Sequence, residues 1–225
     1  MAPSSTREFY RQLAQLAREN LPDRAYPTII IYSVNMAEFR KKLRSGDTAA
    51  TVSFLLEVIN SLSSAGADFA VIASITPHMF IDELKEKSPI PLVNMVEETA
   101  REAKNKGFPR VGLFGTGFTM EADFFPRTFE KFGVSVSIPS PEEREYIDNK
   151  TMAELADGKI ESATREKLVE ICRRLTDEEG IEALILGSTE LSLILNDEVL
   201  RIPVLDTARI STRVVFDYSQ KDEAK

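Results

Sequence analysis

Residues 5–20 place apolar side chains at Phe9, Tyr10, Leu13, Leu16 and Ala17 with polar residues between them. That is the period of an amphipathic helix, with Ser4 or Ser5 as its cap. The pattern then shortens. Residues 28–32 (TIIIY) form a β-branched run suited to a buried strand, and helical spacing returns over 48–64. Further along, strands are predicted at 69–73, 92–93, 111–114 and 184–186. Helices are predicted near 79–86, near 96–105, over 120–132, on either side of Gly158 and after Asp206. Strands alternating with helices imply right-handed crossovers and a mostly parallel sheet covered on both faces, so the expected fold class is doubly wound α/β.

The chain also repeats itself at long range. GADFAVIASIT (66–76) and GIEALILGSTE (180–190) share a glycine, an acidic residue two positions later, an apolar run, a small residue and a serine. IPLVN (90–94) is echoed by IPVLD (202–206), in the same order. A buried parallel strand after any helix would read in a similar way, but two linked matches point to duplication. The halves are then residues 1–95 plus 206–225, and residues 96–205. Each would carry a serine, Ser74 or Ser188, beyond the C-terminal end of a central strand, where open α/β sheets place ligand chemistry. An active site in the cleft between two pseudo-symmetric halves is expected, and such symmetry suits a reaction on both faces of one atom.

The repeat exposes a gap as well. VGLFGTGFTMEADFF (111–125) reads strand, Gly/Thr loop, helix, whereas its counterpart MAPSSTREFY (1–10) supplies only loop and helix. A strand expected ahead of Met1 is lacking, as if the chain began at an internal methionine or had been trimmed there.

Composition narrows the chemistry. With 225 residues, 43% of them hydrophobic and 28% charged, the chain can bury a core without disulfides or metals. A net charge of −8 with scattered Lys and Arg argues against nucleic acid. No apolar run reaches the roughly 20 residues of a membrane span, and the N-terminus has no apolar signal core, so no membrane partner is expected and the cytoplasm is the expected address. One cysteine, Cys172, rules out an internal disulfide, and one histidine, His78, rules out a multi-histidine metal site. Cys172 falls with Leu168, Ile171 and Leu175 on an apolar helical stripe and reads as a core residue.

ASITPH (73–78) and GSTELSLIL (187–195) resemble the two active-site signatures of the cofactor-independent aspartate/glutamate racemases, usually CNTAH-like and GCTE-like. MAPSST (1–6) is similar to the end of that family's GGMGP opening. SVNMAEFR (33–40) matches its post-strand segment, and GLFGTGFT (112–119) its central Gly/Thr loop. The resemblance covers nearly the whole chain. It implies two pseudo-symmetric α/β domains, a homodimer, and racemisation of a small acidic amino acid without pyridoxal phosphate or any other cofactor. Two cysteines serve such enzymes as acid and base, and here Ser74 and Ser188 occupy their positions.

That departure strikes the chemistry itself. Racemisation takes a very weakly acidic proton from one face of Cα and returns one to the other, so an acid and a base must stand on opposite sides of a planar intermediate. A thiol, with a pKa of roughly 8.5 that neighbours lower, supplies thiolate near neutrality. A serine hydroxyl is far less acidic, and each pKa unit is worth about 1.36 kcal/mol, so the change should cost several orders of magnitude in rate. Serine keeps cysteine's shape, so the pocket should still bind. The double substitution fits an inactivated variant that holds substrate unchanged, or a natural paralogue whose reaction is lost or altered.

Further candidates surround these two. Thr76, Thr116, Thr119 and Thr189 lie in loops just after strands, where hydroxyls and helix-start amides receive a carboxylate; each could instead be a helix cap. By resemblance, Arg40 matches a substrate-binding arginine suited to a bidentate carboxylate contact, although KKLR after it also reads as a solvated basic face. Lys159 aligns loosely with a substrate lysine. Glu190 either assists or repels at Ser188, or caps the following helix. His78 either takes part in catalysis or orients a loop. Two other functions stand beside racemisation: a non-catalytic binding protein for an acidic amino acid or dicarboxylate, and a serine-dependent hydrolase or lyase. The latter lacks a GxSxG elbow.

Overall fold

The computed structural model describes residues 3–221, which pack as two units: residues 3–94 with 211–221, and Met95–Ile210. Met1 and Ala2 of the MAPSST segment lie outside the described residues. Among those described, no helix is long and apolar enough to cross a membrane.

The second unit contains a four-stranded parallel sheet in the order β4-β3-β5-β6. Its strands are β3 (Arg110–Phe114), β4 (Ser135–Ser137), β5 (Ala183–Leu186) and β6 (Val204–Asp206). The centre of this sheet is dry. Val111, Leu113, Phe114 and all four residues of β5 are essentially without solvent contact, as a strand covered on both faces requires. Helices α5 (Met95–Asn105), α6 (Gly117–Glu121), α7 (Phe124–Glu130), α8 (Pro141–Ala153), α9 (Ser162–Glu179) and α10 (Asp197–Leu200) belong to the same unit. Cys172 lies buried on α9, as its stripe predicts, and burial pushes its thiol up to about 11. A single helix is predicted over 120–132, but Ala122 turns to extended backbone and divides it into α6 and α7. The strand β4 is not predicted, because SVS carries no aliphatic run beyond one valine.

The first unit contains α1 (Pro3–Asn20), α2 (Met36–Arg44), α3 (Thr48–Ser64) and α4 (Ile81–Lys87), and a two-stranded parallel sheet of β1 (Ala70–Val71) and β2 (Leu92–Val93). Helix α1 is already under way at Pro3, so Ser5 lies inside its first turn instead of capping it. Val52, Leu55 and Ile59 of α3 pack with Phe39, Ala70, Ile81, Leu84 and Leu92 in one core. A final helix, α11 (Thr207–Lys221), continues from the second unit into the first.

Residues 28–32 correct the sequence reading. They belong to no strand, and Ile29, Ile30, Ile31 and Tyr32 are 36–50% exposed. A cavity of about 260 Å³ separates them from β1, lined by Phe9, Leu13, Leu55, Ile59 and Val215 among others. A β-branched run becomes a strand only when a neighbour takes up its backbone donors and acceptors. No ladder partner for 28–32 is present among the described residues.

The internal repeat holds in three dimensions. Gly66 and Gly180, which open it, both have positive φ (92° and 68°), a conformation that glycine adopts without strain as a helix gives way to a strand. The pair Ala70↔Leu92 in β1–β2 occupies the place of Leu184↔Val204 in β5–β6. The same entry bond recurs: Ala70 N–H donates to Pro91 O at 2.9 Å, and Leu184 N–H to Pro203 O at 2.9 Å.

Candidate active site

The two serines follow equivalent strands, Ser74 in the first unit and Ser188 in the second. After β5 the chain turns sharply. Gly187 N–H donates to Phe114 O on β3 at 2.7 Å, and Leu191 N–H reaches back to Ser188 O at 3.3 Å. Buried Thr207, at the start of α11, donates its hydroxyl to Leu186 O at 2.8 Å. Space at 187 is tight for anything larger than glycine. A Cβ there would stand 3.1 Å from Leu113, 3.1 Å from Phe114 O and 3.2 Å from the Thr119 methyl. The result is a rigid corner with Ser188 at its tip, buried except for 8% of its surface.

A carboxylate stands beside that serine. Ser188 Oγ donates to Glu190 Oε2 at 2.6 Å, and Thr189 Oγ1 donates to the same oxygen at 3.0 Å. No Lys or Arg pairs with Glu190 among the described residues. Of the readings of Glu190, helix capping is not what the structure shows: its side chain accepts from Ser188 and makes no cap bond to the short 3₁₀ turn Leu191–Leu193.

The first unit presents a different setting. Ser74 follows β1, half-buried, and its hydroxyl has no hydrogen-bond partner among the described residues. Thr76 occupies the position two residues on, where the second unit has Glu190, and opens the 3₁₀ turn Thr76–Phe80. His78 is buried, and its ring Nδ1–H donates to the carbonyls of Ser74 (2.9 Å) and Ile75 (3.2 Å). Burial lowers its pKa from 6.5 to about 4, against the raising effect of those carbonyls. A neutral ring bonded to backbone orients the loop, as one of its two sequence readings holds, and offers no base to the Ser74 hydroxyl.

The remaining candidates separate by place. Thr116 caps α6, accepting from Thr119 N–H at 3.4 Å, and its hydroxyl lies 3.1 Å from that of Thr119. Thr119 is buried, its methyl turned toward Gly115 and Gly187, so it packs the corner that carries Ser188. Arg40 lies exposed on α2 in the first unit and makes no ion pair among the described residues. Lys159 follows Gly158 with its side chain 63% exposed, 3.9 Å from Asp157. Two supporting residues escape sequence reasoning. Asp148 on α8 accepts from Gly117 N–H at 2.8 Å and so fixes the Gly/Thr loop from 31 residues away, with no local signal. Asp206, visible in the IPVLD echo, accepts from Ser192 Oγ at 2.7 Å and caps α11 through Ala208 and Arg209 N–H. Helix α8 itself is held by Glu143, which closes a capping box with Ser140 and takes a bidentate contact from Arg174 at 2.7 and 2.5 Å.

Each unit thus carries a serine just after an equivalent parallel strand of an α/β fold, and Ser188 has a carboxylate and a second hydroxyl beside it. Residues 1–215 match the model of the Asp/Glu/Hydantoin racemase family, and the chain belongs to that family. It is similar to the structure of an aspartate racemase homologue from Pyrococcus horikoshii OT3, at 32% identity over 97% of this chain and 95% of that one, with a TM-score of 0.88. A Yersinia pestis protein assigned as an Asp/Glu racemase matches at 30% identity over 97% of this chain and 95% of that one, with a TM-score of 0.91. The glutamate racemase of Aquifex aeolicus (strain VF5) is 26% identical over 88% of this chain and 76% of its own length.

Proposed function

We propose that this racemase-family chain binds a small acidic amino acid, aspartate or glutamate, and that Ser74 and Ser188 take the two base positions, one for each face of the substrate's Cα. The carrying observation is that the serines end equivalent strands of a repeated unit. Thr76, Thr116 and Thr189 supply hydroxyls for the substrate carboxylates, Arg40 and Lys159 supply cations, and Thr119 supports the loop. The protein works without a cofactor, as a homodimer in the cytoplasm. Inversion of substrate is lost or severely slowed, because an alkoxide is far costlier to form than a thiolate.

A second reading, a non-catalytic binding protein, is favoured by the same pair of serines, which preserve the shape of the site while removing its strongest bases. Calorimetric titration with L- and D-aspartate and L- and D-glutamate tests the shared part of both readings. Saturable binding of at least one of the four, with no response to alanine, is expected. No heat from any of them would sink the substrate assignment.

A further inference from the structure

The two serines differ in what backs them, and that difference has a chemical consequence. Ser188 Oγ–H points at Glu190 Oε2, 2.6 Å away, so the lone pairs of Oγ are free to face a substrate. Glu190 is only half-buried, so its carboxylate is in reach of water, and it carries no cation partner among the described residues. In the repeat, Gly180 to Glu190 spans the same step as Gly66 to Thr76, so the first serine has a threonine where the second has a carboxylate. Threonine cannot take a proton near neutral pH.

We infer that Glu190, acting through Ser188, gives this chain a one-sided activity: exchange of the Cα proton of one enantiomer of an acidic amino acid with solvent, without inversion. The inference rests on the substrate reading above. In the step, the Cα–H bond breaks and its electron pair passes into the substrate carboxyl as an enediolate. The proton joins Ser188 Oγ as the hydroxyl proton of Ser188 moves to Glu190 Oε2, leaving a neutral carboxylic acid and a neutral serine. The acid exchanges with water, and the reverse step returns a solvent hydron to the same face. The second face receives none, because Ser74 has no such relay. Glu190 is therefore a positioning and proton-accepting partner of Ser188, which alone meets the substrate.

The test is proton NMR of L- and D-aspartate and L- and D-glutamate with the unaltered protein in D2O, with chiral chromatography of the recovered amino acid. Loss of the Cα-proton signal from one hand only, with no opposite hand formed, is the expected result. Glu190→Gln should slow that exchange by about 10²- to 10⁴-fold, the usual worth of a general base, while Glu190→Asp retains most of it. Exchange is compared at saturating substrate, with calorimetric titration confirming that each variant still binds, which separates loss of proton transfer from loss of the site. Exchange of both hands alike, full exchange in Glu190→Gln, or no exchange while binding persists would each overturn the inference and leave the substrate reading standing. Absence of binding would instead overturn the substrate reading.

Discussion

Strand β5 and strand β1 enter their sheets by the same bond, from Leu184 N–H to Pro203 O and from Ala70 N–H to Pro91 O. They differ in what lies on the other side. β5 meets β3 over four paired positions, and its residues are fully buried. β1 meets a cavity of about 260 Å³, whose lining includes Ile29, Ile30 and Ile31, each 36–50% exposed. One sequence pattern thus gives a complete strand in one unit and a two-residue strand in the other. The lesson is that strand length is set by the neighbour as much as by the propensity of the run itself. The effect reaches the sites. A Cβ at 187 would crowd Leu113, Phe114 and Thr119, while its counterpart Ala73 follows a strand of a sheet that has only two strands among the described residues.

The largest test of this contrast is truncation of buried against exposed strand residues. Phe114→Ala should cost about 3–5 kcal/mol in urea denaturation, since it opens a cavity in a fully buried strand. Ile30→Ala should change stability by no more than about 0.5 kcal/mol. Equal losses from the two would mean that residues 28–32 are packed after all.

A sharper version concerns the two corners. Gly187→Ala should destabilise by about 1–3 kcal/mol through overpacking against Leu113, Phe114 and Thr119. Enlarging Ala73 to serine should cost less, measured in the same denaturation series. If Gly187→Ala proves neutral, Leu113, Phe114 and Thr119 yield to a Cβ at little cost and the corner is not tightly packed.

The smallest effect is one of pH. His78, the chain's only histidine, lies in the first unit. Its folded pKa is lowered, from 6.5 to about 4, so the unfolded chain binds the proton first as pH falls. The stability it contributes is complete above 6.5 and is lost progressively as pH drops toward 4. Between pH 7 and 6 the first unit should lose under about 1 kcal/mol, read as slower-to-faster hydrogen exchange in α4 and β2 after correction for intrinsic rates. In the second unit Glu143, its pKa lowered by the Arg174 guanidinium, contributes stability that is lost only on further acidification, below the ordinary carboxylate range. Protection falling in the second unit first would reverse the assignment.

Much of this was legible in the residues. Alternating patterns located β2, β3, β5 and most helices, and the shared GADFAVIAS and GIEALILGS runs placed both serines at strand ends. What was not legible depended on contacts distant in the chain. TIIIY carries every local mark of a buried strand, and only the lack of a ladder partner keeps it exposed. Asp148 gives no sign in sequence of holding Gly117, since nothing local links an acid on α8 to a loop 31 residues earlier. Glu190 was visible as an acid two residues from Ser188, but its choice between capping a helix and accepting the serine proton is a matter of side-chain geometry.

The central claim, a racemase site short of its bases, is tested most directly by chiral chromatography of L-aspartate and L-glutamate incubated with the unaltered protein and with a Ser74→Cys/Ser188→Cys variant. The account predicts formation of the D-amino acid by the double variant at a rate at least about 10³-fold above the unaltered protein, because two thiols restore accessible acid and base on both faces. Inversion by the unaltered protein at the rate of the double variant, or no inversion by a double variant that still binds substrate, would contradict it.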